Sequence, residues 1–378
     1  MTRKNNFIIV FIMLSTVLLH AQAKESDEQL KIYNSGFTQG ALSSWNQEKT
    51  TAAYYYPAEA NYDNISIYCS IGKWANTPLY SDIYTNGQYV LPSFVSIGIP
   101  ISNFMISVGY NNYYNARIHT SLSRTTMTNP DETGETTEYE SNTKLHSFFN
   151  SIKYKVSENI SLGVLLGYNI LSESAHIGSS GISGNGYGYS LKASLLWEPT
   201  NSLSIGFNYG FISSIDYVIE DESSDIEYVA EIPGAGNAVL VETEFKRKGS
   251  FPLSYSVKVG YKIQPNVSFD LSIERQTWDI IETDENSVIN IRFRSSYRVT
   301  EQIVLNVGYF THNHPFGGST MDYWMMGSLY KNLQYFNVGI DYVITDSIVL
   351  NLSAFDSSQL SEDKYSQTYF SSAISIEL

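Results

Sequence analysis

The sequence predicts an all-β protein, a 14-stranded antiparallel transmembrane β-barrel with an N-terminal plug. Three observations carry that expectation. Apolar residues recur at every second position over stretches of about ten residues, the spacing of a strand with one apolar and one small or polar face. Short polar turns join these stretches at one end, and long acidic or Gly/Ser-rich segments join them at the other. Beyond the first 23 residues no apolar run is long enough for a membrane helix, which needs about 20 residues.

Residues 1–23 read as a secretory signal. Arg3 and Lys4 form a positive start, Phe7 to Leu19 an apolar run, and Ala21-Gln22-Ala23 a small-x-small cleavage site. No lipobox cysteine follows. Removing Arg3 and Lys4 takes the formal charge from −15 to −17. Residues 24–63 do not alternate cleanly. Phe37, Leu42, Trp45 and the Tyr54-Tyr55-Tyr56 cluster make them too aromatic for a disordered leader, so they are expected to form a plug or hatch ahead of a barrel spanning 64–378.

The clearest strand signal lies in Val156 to Tyr168. The polar turn Ser157-Glu158-Asn159 is followed by Ile160, Leu162, Val164, Leu166 and Tyr168, with Ser161, Gly163, Leu165 and Gly167 between them. The same pattern follows Ser102-Asn103, Thr200-Asn201-Ser202, Gln264-Pro265-Asn266, Thr300-Glu301-Gln302 and Thr345-Asp346-Ser347. Strands are predicted at 64–73, 90–101, 104–115, 145–156, 160–171, 186–198, 203–214, 252–263, 267–279, 287–299, 303–312, 333–344, 348–357 and 365–378. That even number puts both termini on the short-turn side, which is the periplasmic side of a bacterial barrel. Ala116–Lys144, Ser172–Asn185 and Ile215–Gly249 are read as the longer loops. On the last strand Phe370, Ile374, Ile376 and Leu378 share a face, and closure of the sheet leaves no unpaired edge in lipid.

Composition supports a membrane barrel over a soluble β-sandwich or solenoid. The outward faces are nearly free of charge, and Tyr, Trp and Phe crowd the strand ends as an interfacial girdle does. Tyr is abundant, at 30 of 378 residues, against only 10 Pro, which suits pleated, half-buried surfaces. The single cysteine, Cys69, excludes an internal disulfide. Strong acidity argues against a nucleic-acid partner. No nucleophile–base pair or catalytic carboxylate set stands out, so an enzyme is not expected, and no cofactor is called for.

Parity places Lys258, Lys262, Asp270, Glu274, Arg292, Arg294 and Arg298 on one inner wall, facing the lumen from three neighbouring strands. Two readings remain: a cross-strand salt-bridge ladder, or surplus cations that hold an anionic ligand head group or position the plug. Met105, Ser107, Gly163, Leu165, Leu196 and Val304 are also inward, and a partly apolar lumen points to a hydrophobic passenger. The apolar segment Val229 to Val241 is either an entry groove for a lipophile or a β-hairpin above the membrane. His312 and His314 lack a third ligand, and no metal is assigned to them.

The chain resembles the FadL/TodX family of outer-membrane transporters for long-chain fatty acids and other hydrophobic compounds. The resemblance spans most of the mature chain. It lies in the hairpins at 153–168, 297–309 and 342–352, in S-F-P-L-S-Y-S-V-K-V-G-Y at 250–261, and in Y-G-Y-S-L-K-A-S-L-L-W-E-P-T-N-S-L-S-I-G-F-N-Y at 187–209. The family's Asn-Pro-Ala plug motif corresponds to Tyr56-Pro57-Ala58, where the Asn is replaced. The resemblance implies a monomeric outer-membrane barrel closed by an N-terminal hatch. Hydrophobic ligands would be captured by the outer loops and pass by diffusion to a site above the hatch. Lys258, Lys262, Arg292, Arg294 and Arg298 are the ligand-contact candidates, and these come from parity rather than from the family. The alternatives are a structural or secretion-associated barrel and a general polar porin.

Overall fold

The computed structural model describes residues 29–31, 52–74, 77–80, 83–85, 89–123, 136–177, 180–211, 213–221, 229–230, 238–239, 244–251, 253–277, 287–313, 333–357 and 368–378. The segment read as a signal, 1–23, and residue His314 lie outside them, as does most of the 229–241 segment. Within that segment Val229–Ala230 pairs antiparallel with Ala238–Val239, a hairpin pairing.

Fourteen antiparallel strands close on themselves. They are β1 (Ser66–Trp74), β2 (Tyr89–Ile101), β3 (Phe104–Ser123), β4 (Thr136–Ser157) and β5 (Ile160–Ile177). Next come β6 (Ser180–Thr200), β7 (Leu203–Gly210 and Ser213–Asp221) and β8 (Glu244–Phe251 and Leu253–Gln264). The wall finishes with β9 (Val267–Thr277), β10 (Ser287–Arg298), β11 (Ile303–His312), β12 (Leu333–Thr345), β13 (Ile348–Asp356) and β14 (Thr368–Glu377). Each strand pairs with its sequence neighbours, and β14 pairs with β1 from Ser66↔Glu377 to Trp74↔Tyr369. The closing pair leaves no open edge in the barrel wall. A short strand, Gln29–Lys31, pairs in parallel with Lys248–Ser250.

Local chemistry explains the tight ends. At four turns a hydroxyl in front of the turn accepts a backbone N–H two residues on. Ser157 Oγ takes Asn159 N at 3.3 Å, Thr200 Oγ1 takes Ser202 N at 3.3 Å, Thr300 Oγ1 takes Gln302 N at 3.2 Å, and Thr345 Oγ1 takes Ser347 N at 3.3 Å. Such side-chain-to-backbone bonds stop the strand and start the reversal. At the β2–β3 turn Ser102 adopts φ 55°, in the left-handed region.

Period two sorts the faces as expected. On β9, Leu271 and Ile273 are exposed on the outside while Asp270, Ser272 and Glu274 are buried on the inside. The loops differ from expectation. Much of Ala116–Lys144 and Ser172–Asn185 is strand, because β3, β4, β5 and β6 run well past the apolar band. These stretches, residues 136–144 among them, are rich in Thr, Ser, Asn and Glu and carry no apolar alternation that would announce a strand. The Ile215–Gly249 loop is likewise shortened by the outer halves of β7 and β8.

Candidate functional site

Residues 52–62 sit within the barrel against its inner wall. Ala52–Tyr55 makes one helical turn and Pro57–Glu59 one 3-10 turn. Proline suits the first position of such a turn, since its φ is preset and its missing N–H is not needed.

Polar groups from six strands hold this segment. On β3, Ser107 Oγ lies 2.8 Å from the Tyr62 hydroxyl, and Asn111 Nδ2 donates to the Tyr55 hydroxyl at 3.0 Å. On β4, Lys153 Nζ donates to Ala60 O at 2.8 Å. On β6, Ser194 Oγ accepts from Ala58 N at 2.7 Å and Lys192 Nζ donates to Tyr54 O at 3.4 Å. Asn208 Nδ2 of β7 donates to Tyr55 O at 3.0 Å. Lys258 Nζ of β8 meets Glu59 Oε2 at 2.6 Å, and Ser272 Oγ of β9 lies 3.0 Å from the Tyr56 hydroxyl. On β5 the backbone itself approaches. A Cβ added to Gly163 would overlap Ala58 N and Pro57 C, so only glycine fits there. Burial pushes the Tyr54 and Tyr62 phenols up to about 12, so both stay neutral near pH 7.

The cations predicted for the lumen divide into two groups. Lys258, Arg292 and Arg294 are buried on the wall, whereas Lys262 and Arg298 are exposed near the short turns. Arg294 donates to Asp270 Oδ2 through Nη2 at 2.8 Å and Nε at 3.1 Å. Lys258 Nζ is also 4.0 Å from Asp270 Oδ1. The Arg292 guanidinium lies 5.9 Å from the Tyr56 ring centre. Two acids that the sequence reading left out join this network. Glu59 comes from the N-terminal segment. Asp341 on β12 accepts from Asn306 Nδ2 at 3.1 Å and Asn351 Nδ2 at 3.0 Å. Parity on β12 could have flagged Asp341, but no local pattern flags Glu59.

The wall also carries aromatic groups that the sequence reading did not single out. Phe310 on β11 stacks on Tyr335 of β12 at 4.7 Å and meets Phe355 of β13 at 6.1 Å, which in turn meets Tyr369 of β14 at 6.1 Å. Tyr369 reaches over Gly72 of β1, where any Cβ would overlap its ring. A second group joins Tyr68 of β1 to Phe94 of β2 at 5.7 Å and Phe94 to Phe149 of β4 at 5.6 Å. Tyr54 closes on Phe149 at 5.0 Å. The result is a ring-lined arc from β11 round to β4 that ends on the N-terminal segment.

Solved structures share this arrangement of strands. A FadL homologue from Pseudomonas aeruginosa aligns with a TM-score of 0.62 at 12% identity, covering 93% of this chain and 100% of its own. The fold is that of the FadL and TodX barrels. The P. putida toluene transporter TodX aligns at 0.61 with 9% identity, over 89% of this chain and 94% of its own. The Ralstonia pickettii toluene transporter TbuX gives 0.59 and 10%, over 86% and 92%. No family model and no curated protein matches the sequence. At these identities the likeness is one of fold.

Proposed function

We propose that this chain is an outer-membrane channel for hydrophobic small molecules, with residues 24–63 as its hatch and both termini in the periplasm. The observation that carries the reading is the aromatic arc. Phe310, Tyr335, Phe355, Tyr369, Tyr68 and Phe94 line the inside of the wall, where a polar porin would place charges. Fold analogy with the FadL homologue and the toluene transporters points the same way.

In this reading Lys258, Lys153 and Lys192 seat the hatch through Glu59, Ala60 O and Tyr54 O, whereas Arg294 is engaged by Asp270 of the wall. A ligand moving along the arc reaches Tyr54, and passage requires the 52–62 segment to leave its seat. No nucleotide or metal takes part, and movement follows the concentration gradient. Long-chain fatty acids and small aromatic hydrocarbons both fit an apolar, ring-lined wall.

The test is uptake in a bacterial strain stripped of its own lipophile channels. Cells expressing the full chain should accumulate labelled fatty acid or monoaromatic hydrocarbon faster than cells without it. Planar bilayers holding the purified protein should show no porin-sized ion current. A steady porin-sized current would turn the assignment to a polar porin, and unchanged uptake of every lipophile would overturn it.

A further inference from the structure

Asn337 is buried in the aromatic part of the inner wall and is 1% exposed. Neither its Nδ2 nor its Oδ1 has a hydrogen-bond partner among the described residues. The neighbours explain why. Its partner on β11 is Gly308, which has no side chain, and its partner on β13 is Phe355. Tyr335, two residues earlier on the same face of β12, is stacked on Phe310. Two buried amides nearby are engaged through their Nδ2 groups: Asn306 and Asn351 both donate to Asp341. Leaving a buried amide unmatched at both ends is costly, and native interiors avoid it without a reason.

We infer that Asn337 is the polar anchor of a ligand site within the arc, and that the ligand class is a neutral aromatic compound carrying a hydroxyl group. The inference rests on the transport reading above and narrows its substrate. A hydroxyl both donates and accepts, so a single one answers Oδ1 and Nδ2 together. A carboxylate answers only the donor, an ammonium only the acceptor, and a plain hydrocarbon answers neither. Phe310, Phe355 and Tyr335 supply ring faces and edges beside the amide, and aromatic pairs favour offset or edge-to-face contacts. A few convergent polar groups in an otherwise apolar lining set orientation and specificity.

The probes are 2-naphthol and 2-methylnaphthalene, which differ by a hydroxyl in place of a methyl group. Their fluorescence anisotropy is followed on the detergent-solubilised full chain, with empty micelles as the reference. The wild type should bind 2-naphthol about tenfold tighter or more, the yield of the hydrogen bonds that the hydrocarbon cannot make. Asn337→Leu should erase that preference and leave 2-methylnaphthalene binding unchanged. It should also raise the temperature at which the fast-migrating folded band is lost on a gel, because an unmatched amide is replaced by an apolar group of similar size. An amide with only a structural role gives the opposite shift. Should the leucine variant not assemble, Asn337→Ala must erase the same preference. Preference retained in the variant, or a lowered melting temperature in Asn337→Leu, overturns the assignment. Binding of both probes equally by the wild type sinks the amide site and leaves the transport reading standing. Binding of neither overturns the amide site, and the transport reading then stands or falls on the uptake test.

Discussion

The Glu59–Lys258 pair is the contact whose loss should most directly free the N-terminal segment. The two charged groups meet at 2.6 Å, with side chains 9% and 13% exposed for Lys258 and Glu59 respectively. Removing one partner of a buried ion pair costs about 3–5 kcal/mol when the other is left uncompensated. Here Lys258 keeps Asp270 at 4.0 Å, so Glu59→Gln should cost less, about 1.5–3 kcal/mol, the worth of one charge-assisted hydrogen bond. At 1.4 kcal/mol per factor of ten, the released fraction of the segment rises about ten- to a hundredfold. The assay is maleimide labelling of Ala60→Cys in a Cys69→Ser background. Ala60 is buried in the seat, its carbonyl bonded to Lys153. Glu59→Gln should speed labelling by that factor, and the exchanged pair Glu59→Lys with Lys258→Glu should slow it again. Labelling that stays at the wild-type rate in Glu59→Gln would show that the pair does not hold the segment.

Further outcomes follow from the same geometry. Gly163→Val should release the segment without unfolding the barrel, since its Cβ would overlap Ala58 N and Pro57 C; labelling should rise while the heat-shifted band on a gel persists. Arg294→Ala leaves Asp270 buried with Lys258 at 4.0 Å as its remaining cation among the described residues, and should destabilise the barrel by about 3–5 kcal/mol in urea titration. Arg298→Ala and Lys262→Ala, at exposed positions, should change neither stability nor uptake. Tyr54 should ionise near 12 rather than 10, seen as the difference in phenolate absorbance between wild type and Tyr54→Phe. Because the seated phenol's pKa is raised, the seat is at full strength below pH 10 and weakens as pH rises toward 12; a midpoint of 10 would show the phenol in water.

What could be read in the sequence follows the range of the physics behind it. The side-chain period of a strand is local, so Ile160 to Tyr168 announces its own faces. The hydroxyls of Ser157, Thr200, Thr300 and Thr345 announce the turns within two or three residues. Parity then set Lys258, Asp270, Glu274, Arg292 and Arg294 on the inner wall, where they are buried. The far ends of β3 to β6 are strand where the sequence pattern predicts loop, because stretches such as 136–144 carry no apolar alternation. Lys262 and Arg298 share the inward parity yet emerge into solvent, because parity gives a face and not a depth.

The sequence by itself determined the barrel, its strand number and the placement of an aromatic leader ahead of it, because each rests on patterns a few residues long. Only the tertiary structure decided who meets whom. Glu59 finds Lys258 across 199 residues, and Tyr56 finds Ser272 across 216. It also decided that Asn337 would face Gly308 and Phe355 rather than a polar partner. Such pairings depend on sheet register and on where the leader folds back, and both are settled by closing the whole wall at once.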